Sequence, residues 1–334
     1  MGAPSLPLSR PPSQRARNQL PRCLADSETP APRFTQSITR HSHLSRRAAV
    51  ASLPLIAIVL RAPIGSAAVE APAAVIVPGL APDQSRYDAA DPELRAAAGL
   101  VREALEAGSL EEEEELWTRI IDGYGGRDAE WAPDVVGRAL GNRGNARSRR
   151  GDLAGAVADY NAAIEACPWS VDPVLNRGVA LEALGRWDEA IRDYRSVLKV
   201  APFDPSALNN LGNAYAGKGQ WDEAERYYGR AVALAPEFAF AAANRACALY
   251  QLGRVDDSLR LMRNLLRRYP TFPDMRAALT VALWRNGEEG EAEEEWLRVD
   301  DPRYRDVAWL KESRRWPPDL ITGMEAFLEL KSRV

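Results

Sequence analysis

Four asparagines stand 34 residues apart, Asn142, Asn176, Asn210 and Asn244, and two more, Asn145 and Asn213, follow the first and third by three positions. Asparagine is a mediocre helix former, so local propensity does not account for four in register. Each amide offers two donors and an acceptor on a short arm, a set that suits the backbone of an extended peptide. Catalytic chemistry leaves no comparable signal. There is no glycine-rich phosphate loop, no Gly-x-Ser-x-Gly, no His-Glu-x-x-His and no calcium-loop pattern. Both histidines, His41 and His43, lie near the N-terminus, so the rest of the chain lacks the commonest general base and metal ligand. The paired carboxylates Asp256-Asp257 and Asp300-Asp301 fall at expected turns and helix starts, where capping explains them. The sequence therefore reads as no enzyme, with no cofactor and no metal.

The elements that must position the amides repeat with the same step. Prolines fall at Pro168, Pro202, Pro236 and Pro270, and glycines at Gly144, Gly178 and Gly212 and again at Gly151, Gly185, Gly219 and Gly253. Tyrosines keep the interval at Tyr160, Tyr194 and Tyr228, and alanines at Ala156, Ala190 and Ala224. Unit three shows the pattern best, with Leu208, Leu211, Gly212, Tyr215, Trp221-Asp222-Glu223-Ala224, Tyr228, Ala231 and Pro236. This signature resembles the tetratricopeptide repeat, a pair of antiparallel helices that stacks on its neighbours. Small residues on the facing sides let helix axes approach, glycine takes the turn at little cost, and proline ends the second helix. Asp188, Asp222 and Asp256 recur near the start of the second helix, where a carboxylate suits the N-terminal dipole; unit one puts its acid, Asp152, two residues earlier.

The expected fold is all-α, a right-handed superhelix of about five to six helix pairs with a C-terminal capping helix. Residues 91–133 read as a degenerate leading hairpin, 137–306 as the regular array and 307–334 as the cap. Residues 72–90, rich in proline and alanine, read as a linker. The acids Glu111 to Glu115 read as a solvated helix face, with a cation site or a docking face for a basic partner as the alternatives. Cys167 and Cys247 read as small buried hydrophobes.

The resemblance implies that the first helix of each unit lines a concave face and that position six points into it. Asn142, Asn145, Asn176, Asn210, Asn213 and Asn244 would then form a ladder for a peptide main chain, with Arg138, Tyr215, Phe240 and Tyr250 as neighbours that add specificity. The alternative is that the amides bond the neighbouring helix and stiffen the stack; the two roles can coexist. The carboxylate clamp that binds chaperone tails is absent: Asn145 and Asn176 match two of its five positions, but Gly141, Ser206 and Asn210 stand where lysines and arginine are needed. Position seven carries Arg143 and Arg177 and position 23 carries Asp159 and Asp193, a pattern that predicts partly exposed ion pairs within units.

Charge is uneven. Nine of the 43 basic and three of the 47 acidic residues lie in residues 1–71, which leaves residues 72–334 with 34 bases, 44 acids and a net −10. An acidic body argues against nucleic acid. Residues 1–47 are rich in Arg, Ser and Pro, and Arg46-Arg47 precede an apolar run from Ala48 to Leu60 and a small-residue stretch around Ala68 and Ala71. Thirteen apolar residues are too few to span a bilayer as a helix. A transit peptide followed by a signal-like segment resembles the bipartite presequence of thylakoid-lumen proteins; the stroma and the mitochondrion are the alternatives. The sequence thus points to an organellar scaffold that holds a segment of another protein, as an assembly or maintenance factor for thylakoid complexes.

Overall fold

The structure, a computed structural model, describes residues 70–332. The expected presequence lies outside them, except for Glu70 and Ala71. Fourteen α-helices run in order: α1 (Pro92–Leu105), α2 (Leu110–Tyr124), α3 (Ala132–Arg149), α4 (Leu153–Ala166), α5 (Asp172–Ala183), α6 (Trp187–Val200) and α7 (Pro205–Gly217). They continue with α8 (Trp221–Leu234), α9 (Ala239–Gln251), α10 (Val255–Arg268), α11 (Pro273–Arg285), α12 (Glu289–Trp296), α13 (Val307–Glu312) and α14 (Pro318–Ser332). There is no strand among the described residues, and no helix there is long and apolar enough to cross a membrane.

From α1 to α12 each helix packs on the next, and α3, α5, α7, α9 and α11 also touch one another from unit to unit. The odd-numbered helices therefore form the inner layer of a helical repeat solenoid. The chain turns between the two helices of a unit through Gly151, Gly185, Gly219, Gly253 and Gly287, whose φ angles lie between 72° and 87°. Only glycine takes that conformation without strain. Asp152 caps α4 by accepting from the Gly155 N–H, whereas Asp188 and Asp222 stand in the first turn without a cap bond.

Within a unit the close approach is a ring on a glycine. A Cβ added at Gly178 would stand 2.6 Å from the Tyr194 ring, and Gly144 and Gly212 face Tyr160 and Tyr228 in the same way. Glycine and tyrosine recur together because each fills the space the other requires.

One segment outside the repeats departs from what the sequence suggests. Residues 70–77 are not a free linker but an extended strap. Ala71 and Ala74 are buried, Ala74 among Val174, Val197 and Ala207. The Ala71 N–H donates to Glu189 at 2.6 Å, and the Val77 N–H to the Pro168 carbonyl at 2.8 Å. At the other end, α14 lies along the inner helices α9 and α11. Its Phe327 is packed edge-on by Trp284 and Trp296. Leu320 and Met324 are fully buried beside it.

The strap also changes the character of one ion pair. Arg143 and Arg177 do pair with Asp159 and Asp193, each through two guanidinium nitrogens. Arg177 is 1% exposed and Asp193 2%, however, so the expectation of a partly exposed pair fails in unit two. The Pro72 carbonyl of the strap and Asn161 accept two further Arg177 N–H groups at 2.8 and 2.6 Å, and the strap covers the pair. In unit four Arg245 turns to Glu225 instead.

Candidate functional site

All six ladder amides lie on α3, α5, α7 and α9 of the inner layer, and four of them meet in pairs. Asn176 Nδ2 donates to Asn145 Oδ1 at 3.0 Å, and Asn244 Nδ2 to Asn213 Oδ1 at 3.2 Å. The same acceptors also receive tyrosine hydroxyls, Tyr160 at 2.8 Å and Tyr228 at 2.9 Å. A tie thus runs from the outer helix of a unit, through its inner helix, to the inner helix of the next. Helix packing alone leaves these polar groups unpaired, so each bond carries the stabilisation of a satisfied buried group, ~0.5–1.5 kcal/mol.

Asn142 stands apart and donates to the Arg138 carbonyl of its own helix at 3.0 Å. Asn210 is 4% exposed, and its Oδ1 accepts from Asn209 at a long 3.4 Å. Its Nδ2 is buried and has no acceptor. Asn209, also buried, accepts from Asn244 at 3.1 Å and so joins the two rungs. Position five is not asparagine in the other units, which left Asn209 without a periodic signal. The tyrosine–asparagine bonds did have one: Asn145 to Tyr160 and Asn213 to Tyr228 share a spacing of 15 residues.

The four proposed neighbours scatter. Tyr215 is buried, stacked on Tyr227 at 5.4 Å between ring centres, and accepts from Arg195 at 2.5 Å. Tyr250 is buried in the cluster that α14 completes. Phe240 is 37% exposed, edge-on to Phe272 at the start of α9. Arg138 is turned to Asp134 at 3.0 Å. Glu113 and Glu114 of the acidic run are engaged by Arg147 and Arg149 of α3 and by Arg150 just past its end. Cys167 and Cys247 are buried free thiols, and burial pushes Cys167 up to about 12.

Unit two breaks the amide pattern, because Val179 stands at the position of Asn145 and Asn213. Its tyrosine hydroxyl, Tyr194, donates instead to Glu182 Oε2 at 3.1 Å. Burial pushes the Glu182 carboxyl up to about 7, against the pull of Arg315 and the Tyr194 hydroxyl. The other titratable ring facing it is Tyr228 of α8. The folded protein therefore holds a proton that the unfolded chain releases near its ordinary value of 4.5. Stability from this group is present below that value and is lost as pH rises through about 7. Glu182→Gln is expected to flatten the fall in Tm between pH 5 and 8, measured by calorimetry; an unchanged slope would assign the fall to other groups.

The fold and its inner layer define the class, an all-helical repeat solenoid. The tetratricopeptide repeat family model matches residues 175–239 and 244–301, so those two segments are similar to tetratricopeptide repeats. No curated protein matches the chain in sequence. Among solved structures it is similar to a tetratricopeptide repeat protein from Parabacteroides merdae. That likeness has 16% identity and a TM-score of 0.53, over 70% of this chain and 99% of that one. It is also similar to MamA from Desulfovibrio magneticus, at 19% identity and a TM-score of 0.46, over 54% of this chain and 97% of that one. YrrB, described as a repeat protein with an unusual peptide-binding site, aligns at 20% identity and a TM-score of 0.43, over 56% of this chain and 91% of that one.

Proposed function

We propose that the inner face binds an extended segment of a partner protein, and that the protein serves in the thylakoid lumen as an assembly or maintenance scaffold. The observation that carries the binding role is Asn210 Nδ2, a buried inner-layer donor with no acceptor among the described residues. Such a group costs ~1–3 kcal/mol while unpaired, and a peptide carbonyl is the acceptor an inner-face donor can take. The geometry is compatible. Inner helices of successive units lie ~10 Å apart and an extended peptide advances ~3.3 Å per residue, so a rung meets every third residue. Asn145, Asn176, Asn213 and Asn244 set the spacing of the rungs and leave the free donor to Asn210.

Asn210→Ala separates binding from stability. It is expected to weaken capture of a partner segment, mapped by crosslinking to the wild-type protein, about tenfold, since ~1.4 kcal/mol is a factor of ten. Tm should change little, because the orphaned donor and the long 3.4 Å bond from Asn209 are lost together. Asn213→Ala should instead lower Tm through the loss of two bonds. An Asn210→Ala protein that captures the segment as well as wild type would end the reading. The lumenal location rests on the order of the presequence signals, and predicts a mature N-terminus near residue 69 or 72, shielded from protease inside thylakoids. Pro54 inside the signal-like core and Arg61 just after it favour the second reading, a stromal or mitochondrial adaptor, whose N-terminus would lie near residue 45.

A further inference from the structure

Among the described residues, Arg315 alone combines a side chain with a left-handed backbone, at φ 52°, a conformation that persists only where its surroundings hold it. The surroundings are identifiable. Arg314 is fixed to Asp274 at 2.7 and 2.8 Å, the Trp316 indole donates to the same carboxylate at 3.2 Å, and the Asp319 N–H donates to Gln251 at 2.9 Å. The segment is thus fastened to α11 and α9 on either side of Arg315. The guanidinium leaves those units and reaches unit two, where Nη1 lies 3.2 Å from Glu182 Oε1 and the group sits 5.3 Å from the Trp187 ring centre.

Glu182 is on inner helix α5, its side chain 13% exposed, and Tyr194 of α6 orients its other oxygen. A nearly buried carboxylate and an indole face that converge on one planar cation are the pair that selects arginine. Neither group needs Arg315 to fold: α5 and α6 pack through Gly178, Tyr194 and Leu181, and the cation comes from 133 residues away. We propose that Glu182 and Trp187 form an arginine-reading subsite of the inner face, filled by the chain's own Arg315 until a bound segment supplies an arginine in its place. This rests on the inner-face reading above and adds the chemistry of the partner, a segment with an arginine. The net −10 of residues 72–334 favours such a segment.

The test vacates the subsite in the full chain. Arg315→Gly removes the guanidinium and suits the left-handed backbone, and Arg315→Gln removes the charge while keeping bulk. Binding of N-acetyl-argininamide is followed by saturation-transfer NMR at pH 8, above the value near 7 at which Glu182 gives up its proton, with N-acetyl-norleucinamide as the uncharged probe. Both variants are expected to bind the arginine probe saturably and at least about tenfold more tightly than wild type, and the uncharged probe not at all. Adding Glu182→Gln to Arg315→Gly should abolish the gain. Variants that bind the arginine probe no better than wild type, or a gain that survives Glu182→Gln, would overturn the proposal. Asn210→Ala does not touch Glu182, so loss of the arginine subsite and loss of the inner-face reading are seen in different proteins.

Discussion

Arg177→Ala is expected to destabilise the array by ~3–5 kcal/mol, the cost of stranding one member of a buried ion pair. Arg177 places its guanidinium against both Asp193 oxygens, Asn161 and the Pro72 carbonyl. Alanine would leave Asp193 charged inside the protein and the strap without its carbonyl anchor. Two consequences distinguish this from a simple cavity. The loss should be larger at pH 8 than at pH 5, because a stranded carboxylate is relieved by taking up a proton. Amide exchange should also rise first at Val77, whose N–H bonds Pro168. Calorimetry and native-state exchange read both. Replacing the pair together, Arg177→Met with Asp193→Leu, should recover most of the stability, since two apolar groups of similar size leave no charge unpaired. An Arg177→Ala protein that melts within a degree or two of wild type would show that water reaches Asp193 past the strap.

Arg177 also shows where the sequence stopped being legible. It shares its repeat position with Arg143, and both find the aspartate expected 16 residues on. Nothing in the periodic pattern separates them. The difference is the strap, whose proline- and alanine-rich composition has no period and reads as a linker, yet whose small side chains fit against Val174 and Val197. The repeat itself was plain, because its glycines and tyrosines report the same contact in units one to three. The last helix was visible as a helix, but its apolar face did not say whether it would meet the end of the stack or, as found, the inner helices α9 and α11. The amide ladder was legible in spacing and ambiguous in partners. An amide on an inner helix satisfies a peptide or a neighbouring amide equally well, and Asn145, Asn176, Asn213 and Asn244 have taken neighbours. Glu182 had no signal, since it does in unit two what asparagine does in units one and three.

Gly178→Leu is the second large effect, and it tests the contact on which the whole period depends. Even a Cβ at residue 178 would stand 2.6 Å from Tyr194 Cε1 and 3.0 Å from two further ring atoms. Tyr194 is fully buried and held at its hydroxyl by Glu182, so the ring has nowhere to retreat without breaking that bond. Overpacking of this kind costs ~1–3 kcal/mol and occasionally more. A Tyr194 hydroxyl left unpaired adds ~1–3 kcal/mol. Gly178→Ala should show a smaller loss of the same origin. In a stack of units, each held only by its neighbours, the damage is expected to split the array at unit two. Thermal unfolding should broaden or divide into two steps, with units three to five melting near the wild-type temperature. The compensating change is Tyr194→Phe, which keeps the ring but frees it from Glu182. If Gly178→Leu melts as wild type does, the glycine–tyrosine contact is not what sets the distance between the helices of a unit. If Tyr194→Phe restores part of what Gly178→Leu loses, the hydroxyl bond is what kept the ring from yielding.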